Sequence, residues 1–491
     1  MAVSADYQKI VNSLKRSPKG ATAADVCALT ALPLNKVHEL LPKAADEFSA
    51  HLRVTQSGEI LYYFPDGFKS RYRGIAAFVK KAAGKIVSFF KKALPLLFKI
   101  WIMIMLIGYF VLFIAIALAS VFISIAAKNN RDSGSSGGGF GSLGLFDILF
   151  RLWFYSEITR TSYNDYGDYG RKKQKKQKSP IHKAIFSFVF GEENPNKDWE
   201  ENTVKEIISF LQRNKGCITL PEYMMFTGEK PLDAEKNILS FCSKYGGSPE
   251  ATEDGTIVYQ FKDILFYSQS GFDSTGRYAE LSPLVMHLKK FSANSKKMNI
   301  IFSLINGFNL FFGSYFLFQS ISTGIILTEL QFQTVSKLYG YTYLLTSLIS
   351  SNPHILIGIV LGIIPVLFSL FFWLIPGLRF LAEKKENEKL KFKNLKRFCF
   401  KKIWSSPDKV DISKINHPAE EYRPKKTVEA EDKIIKEIGA ISIPEVETDV
   451  NGKFVYTFKN LEREKRALEK YRSSVDPSKF KIGQTVFDSR D

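Results

Sequence analysis

The chain has 491 residues, 24% charged and 45% hydrophobic, and its 68 Lys and Arg against 49 Asp and Glu leave a formal net charge of +19. Those averages would suit a large soluble protein, but the apolar residues gather into uncharged runs at 100–127, 298–328 and 338–378, longer than a water-soluble core requires. Four widely spaced cysteines (Cys27, Cys217, Cys242, Cys399) exclude a disulfide framework and a sequence-coded zinc or iron–sulfur site, and six scattered histidines with no H-E-x-x-H, G-x-S-x-G or P-loop pattern supply no catalytic signature.

In chain order, residues 1–68 read as one small module. Apolar spacing predicts a helix over Tyr7–Leu14, a second over Thr22–Leu29 opened by a capping Thr, and a third over Asn35–Phe48 with Asn35 as its cap and Pro42 as a kink. Val54 and Thr55 then lead through Gln56-Ser57-Gly58 into Ile60, Tyr62 and Phe64, which predicts a hairpin with one buried face. Three helices and a hairpin in this order are the winged-helix arrangement. Residues 19–64 align without a gap on 216–261, pairing Asp25 with Glu222, Thr30 with Thr227 and Gly58–Phe64 with Gly255–Phe261. A third copy of that ending, Gly452–Phe458, follows a helical stretch near Glu429–Ile438. The expected modules are therefore 1–68, 184–268 and a reduced one at 427–491.

Between the modules lie the membrane elements. Residues 69–99 form a basic amphipathic juxtamembrane helix in which Lys80, Lys81, Lys85 and Lys92 oppose an apolar face; with Lys91 they suit an anionic headgroup layer. The first hydrophobic segment, 100–127, is followed by a Gly/Ser-rich and basic linker, 128–183, containing an amphipathic stretch at 140–155. A juxtamembrane segment (269–297), a transmembrane helix (298–328), an external loop (329–352), a transmembrane helix (353–381) and a basic juxtamembrane segment (382–426) complete the chain. Lysines before 298 and basic residues after 378 place both outer ends of that helical hairpin in the cytoplasm, and the headgroup-lying reading applies equally to 379–402, with Arg379, Lys384 and Lys385 at the membrane surface. Basic flanks on both sides of 100–127 conflict with a single crossing. With 140–155 lying along the interface, the first run must turn within the bilayer or the two-sided charge rule fails; the alternative is that 140–155 re-enters the membrane.

Within the spans, Gly358 and Gly362 share a helix face that permits close approach, and Asn306 and Asn309 sit mid-span, where a polar side chain faces a partner helix or a substrate path. A DNA-binding role would need basic third helices, yet Lys36 and Lys43 are offset by Glu39, Asp46 and Glu47, and Lys236 and Lys244 by Asp233 and Glu235. The fold class expected is an α-helical membrane protein with α+β winged-helix-like cytoplasmic modules. Its expected function is a membrane scaffold or assembly protein without catalysis or cofactor, whose partners are anionic membrane lipids and a protein, with self-association open. A membrane-tethered nucleic-acid-binding regulator is the alternative, and a small transporter or lipid-handling protein the third reading.

The stretch Phe186-Ser-Phe-Val-Phe-Gly-Glu-Glu-Asn-Pro-Asn196, the Asp254–Tyr259 ending, Phe291-Ser292, Asn309-Leu310, and Ile375-Pro376-Gly-Leu-Arg379 followed by Asn387 and Asn394 carry a resemblance over most of the chain. It resembles a family of integral membrane proteins from bacteria and plastids with repeated winged-helix-like modules. The resemblance implies an architecture and no reaction. Plastid relatives sometimes bear an iron–sulfur cluster biosynthesis label, which the cysteines here give no reason to transfer.

Overall fold

Helix dominates the computed structural model, which describes residues 5–17, 20–65, 67–68, 93–129, 180–266, 284–326, 336–411, 422–425, 427–448, 454–476, 480 and 483–489. In chain order the elements are α1 (Ala5–Arg16), α2 (Ala23–Thr30), α3 (Leu34–Glu47), β1 (His51–Thr55), β2 (Ile60–Tyr63), α4 (93–129), α5 (Ile181–Phe190), α6 (Trp199–Arg213), β3 (Cys217–Ile218), α7 (Leu220–Thr227), α8 (Pro231–Tyr245), β4 (Gly247–Ala251), β5 (Ile257–Phe261), α9 (Lys296–Ile326), α10 (Lys337–Ser347), α11 (Pro353–Ser405), α12 (Thr427–Ile438), β6 (Glu445–Thr448), β7 (Phe454–Thr457), α13 (Lys459–Ser474) and β8 (Thr485–Asp488). The chain divides into two compact units, one of residues 1–90, 192–290 and 380–491, the other of 91–191 and 291–379.

In the first unit, α2 begins where Thr22 and Asp25 cap each other: the Asp25 N–H donates to the Thr22 hydroxyl (3.2 Å) and the Thr22 N–H to the Asp25 carboxylate (2.9 Å). It ends at Ala31 in the left-handed region, φ 57°. Helix α3 departs from expectation at its start. It starts at Leu34 behind Pro33, and Asn35 lies inside the helix, accepting the Lys36 N–H, without capping it. Pro42 is accommodated within Leu34–Glu47. Val37, Leu41 and Ala44 point inward with Ile10, Leu14 and Val26, and Tyr62 and Phe64 pack on that core while Ile60 is exposed.

The segment 199–261 has its own capping box, left-handed helix end and hairpin. Thr219 and Glu222 form a capping box at α7, which ends at Gly228 with φ 67°; Ile218 pairs with Tyr259 as Ala21 bridges to Tyr62. Both hairpin turns use a glycine at positive φ, Gly58 at 82° and Gly255 at 77°. The larger core of the unit joins α6–α8 and β5 to Leu395, Cys399 and Ile403 of α11, Ile434 and Ile438 of α12, and Leu461 and Leu468 of α13. Within the basic stretch 379–402, Asn394, Lys396 and Arg397 are buried in the protein. At the C-terminal end, α12 and the β6–β7 hairpin occupy the region expected for a reduced module, but α13 follows, and β8 returns to pair antiparallel with β1.

The second unit contains α4, α5, α9, α10 and α11 up to Arg379. Ala93–Ile125, Lys296–Thr323 and Pro353–Ser405 are long and apolar enough to cross a membrane. The first hydrophobic segment does not turn back: 100–127 lie within the single helix α4, whose stretch Ala93–Ile125, 33 residues, is about 50 Å long at 1.5 Å per residue. Residues 184–191, expected in the second module, belong to this unit. Helix α10 lies inside the stretch expected as an external loop, begun by Ser336, whose side chain accepts the Tyr339 N–H. The amphipathic stretch 140–155, and Lys80, Lys81, Lys85, Lys91 and Lys92, lie outside the described residues.

Candidate functional site: an asparagine clamp, buried ion pairs and the helix seams

In the first unit an extended segment, 284–290, is held by three asparagine side chains, each imitating the backbone of a neighbouring strand. Asn394 accepts the Met286 N–H and donates to the Met286 carbonyl, both at 2.8 Å. Asn387 does the same for Lys289, again with two bonds of 2.8 Å, and Asn196 makes an identical pair with His287. The geometry follows from two periods. Seven helical residues from Asn387 to Asn394 rise about 10.5 Å, and three extended residues from Met286 to Lys289 span about 10 Å, so two asparagines on one helix face meet two backbone positions. The backbone of the intervening His287 is taken by Asn196. Lys289 adds an ion pair to Glu386 at 2.7 Å.

Buried charge binds α13 and α11 to the same unit. Arg472 meets Glu222 in a bidentate pair of 3.0 and 2.7 Å, donates to the Cys217 carbonyl at 2.8 Å and lies 5.5 Å from the Phe210 ring centroid. The capping carboxylate of α7 is thus also the partner of a cation from the C-terminal helix. Burial, with the Glu222 carboxylate nearby, pushes Glu464 up to about 7. Arg397 donates to the carbonyls of Phe226 and Thr227 at the C-terminus of α7 (3.0 and 2.9 Å) and stacks on Trp199 at 4.5 Å. Burial pushes it down to about 10, still charged at neutral pH. Lys396 pairs with Glu437.

In the second unit the polar residues picked from sequence are brought together with backbone. Asn306 donates to the Ser369 carbonyl at 3.0 Å and Asn309 to the Leu106 carbonyl at 2.8 Å. Leu106 belongs to a π-helical stretch of α4, Ile104–Gly108, and a second such stretch, Gly358–Ile363, interrupts α11; there Val360 accepts from the Tyr109 hydroxyl at 2.9 Å. Wider π turns release backbone carbonyls from the α-ladder, and in each case a side chain from another helix takes one up. Gly358 and Gly362 lie in the second π stretch against α9. A Cβ on Gly362 would stand 2.9 Å from the Leu317 Cα, and one on Gly358 2.6 Å from the Ser320 hydroxyl.

The membrane-surface residues divide. Lys384 and Lys385 are exposed. Arg379 donates to the carbonyls of Phe188 and Phe291 and lies 4.6 Å from the Phe291 ring centroid. Sequence reasoning assigned no role to Asn196, Asn387, Asn394, Glu222 or Arg472. The spacing of Asn387 and Asn394 was the available signal for the clamp. Among the described residues, no group of His, Cys, Asp and Glu is placed to hold a metal ion. The four cysteines are buried thiols; burial pushes Cys27 and Cys217 up to about 12 and Cys242 up to about 11, which makes them poor nucleophiles.

Together these features define a mostly helical protein with three helices long and apolar enough to cross a membrane, held together by buried polar contacts. The chain is similar to a protein of Arabidopsis thaliana described as uncharacterised and chloroplastic, 22% identical over 420 residues that cover 82% of this chain and 73% of that one. No family model matches the chain, and no solved structure matches it.

Proposed function

We propose that this protein is an integral membrane scaffold: repeated winged-helix-like modules, in the cytoplasm and anchored by the apolar helices, bind a protein partner or each other without catalysis. The observation that carries the reading is the use made of the two third helices. In a winged-helix DNA binder this helix must be open to enter a groove. Here α3 and α8 pack on each other, with the Tyr245 hydroxyl donating to the Ala31 carbonyl at 2.8 Å. Tyr245 closes α8 and Ala31 precedes α3, so the end of one third helix is engaged with the start of the other. The exposed face of α8 then offers Leu232 and Leu239, 73% and 49% exposed and two turns apart, as a surface for a partner.

A photo-crosslinking residue at Leu239 in intact membranes tests this. A protein adduct of constant mass that disappears with Leu232→Glu supports the scaffold. Recovery of nucleic acid, or of no polypeptide at all, contradicts it.

A further inference from the structure

The second unit carries an apolar groove of about 390 Å³ on its surface, walled by Phe98 and Trp101 of α4, Phe190 of α5, and Leu367, Phe371 and Ile375 of α11. From Ile364 to Ile375 its wall on α11 runs roughly 16 Å, about the depth of one leaflet of the hydrocarbon layer. One end is cationic. Lys99 follows Phe98, and its ammonium stands 4.4 Å from the Phe186 ring centroid; Phe186 in turn lies 4.9 Å from Phe190. Arg379, one turn beyond Ile375, packs against Gly191, the residue after Phe190.

No Asp or Glu occurs among the described residues of this unit, whereas Lys99, Lys128, Lys183, Lys296, Lys297, Lys337 and Arg379 do. Lys183, Lys296 and Lys297 are exposed. An apolar slot of leaflet depth below a cation is complementary to a lipid with a negative headgroup.

We propose that the groove seats one acyl chain of an anionic phospholipid of the inner leaflet, with its phosphate on Lys99. The proposal rests on the membrane reading above and deepens it from general surface attraction to one defined site. The apolar wall supplies retention and Lys99 the preference for negative headgroups.

The full chain, purified in detergent and stripped of lipid by detergent exchange, is titrated with dioleoyl phosphatidylglycerol or dioleoyl phosphatidylcholine and read by native mass spectrometry. One phosphatidylglycerol is expected to remain under activation that removes phosphatidylcholine. Lys99→Gln, at a partly exposed position, is expected to weaken phosphatidylglycerol retention roughly fivefold, the factor one cation contributes near an anionic surface, and Lys99→Arg to keep it. Leu367→Trp, which fills the groove from a half-exposed position, is expected to abolish the retained adduct. Equal retention of the two lipids, or a Leu367→Trp protein that keeps its adduct, would overturn the site. So would a photo-crosslinker at Leu367 that captures a second copy of the chain. An alkaline wash of native membranes separates this from the broader reading: a chain that stays in the pellet while the groove variants behave as wild type leaves anchoring intact and removes only the lipid site.

Discussion

Arg472 and Glu222 form a buried bidentate pair, and the worth of such a pair appears when one member is removed. Deleting one partner of a buried ion pair typically costs 3–5 kcal/mol because the other charge is left uncompensated. Arg472→Met is therefore expected to lower stability by about 4 kcal/mol, and adding Glu222→Gln, which removes the stranded charge, to recover a large part of it. Thermal unfolding of the single and double variants in detergent checks this; additive losses would contradict it. Glu464 gives a pH dependence. Its carboxyl is raised from 4.5 to about 7 in the folded chain, so between those values the folded state holds a proton that the unfolded state has released. Stability falls as pH rises through that window. Glu464→Gln should leave stability at pH 5 nearly unchanged and raise it at pH 8 by up to about 3 kcal/mol, at roughly 1.4 kcal/mol per unit. A variant with the same wild-type slope between pH 5 and 8 would refute it.

The clamp belongs to the same scale. Asn394 is fully buried and Asn196 is partly exposed. Asn394→Ala strands the buried N–H and carbonyl of Met286 and is expected to cost about 2–3 kcal/mol, while Asn196→Ala, where water can replace the amide, costs about 1 kcal/mol or less. Amide exchange at Met286 and Lys289 reads the loss locally. Such contacts were scarcely legible in the sequence. A helix asparagine bonded to an extended backbone about 100 residues away leaves no hydrophobic period, and only the seven-residue interval between Asn387 and Asn394 marks it.

Among elements, legibility followed the strength of the apolar pattern. Each long uncharged run contains or forms a helix, and the Thr22 cap was readable because a capping box is written within four residues. Helix α13, KNLEREKRALEKYRSS, was missed because it buries only Leu461, Ala467, Leu468 and Arg472 along an otherwise charged surface. Helix α10 was missed because Tyr and Thr supply much of its buried face, including Tyr339 and Thr342. The Asn35 cap failed because Pro33, with its fixed φ, already sets the helix start. Contacts also separate the two glycines of the helix seam. Gly362→Ala forces backbone away from backbone at Leu317, an overpacking cost of about 2–3 kcal/mol. Gly358→Ala displaces only the Ser320 hydroxyl and the hydrogen bond it donates to the His354 carbonyl, about 1 kcal/mol. Comparing the two melting midpoints tests the order; an equal or reversed effect would mean that α9 and α11 do not approach this closely.

At the scale of the whole molecule, the proposed scaffold places the capped helices and hairpins on the inner side and the turn after α10 on the outer side of the same membrane. Two exposed positions report on it: Asp254 in the second hairpin turn and Leu348, 83% exposed, after α10. The four native thiols are buried and contribute little background. The most direct measurement is labelling of single Asp254→Cys and Leu348→Cys proteins in sealed cells with a membrane-impermeant maleimide. The account predicts that Cys at 348 reacts at once and Cys at 254 only after the membrane is opened; reaction at 254 in sealed cells, with 348 protected, would contradict it.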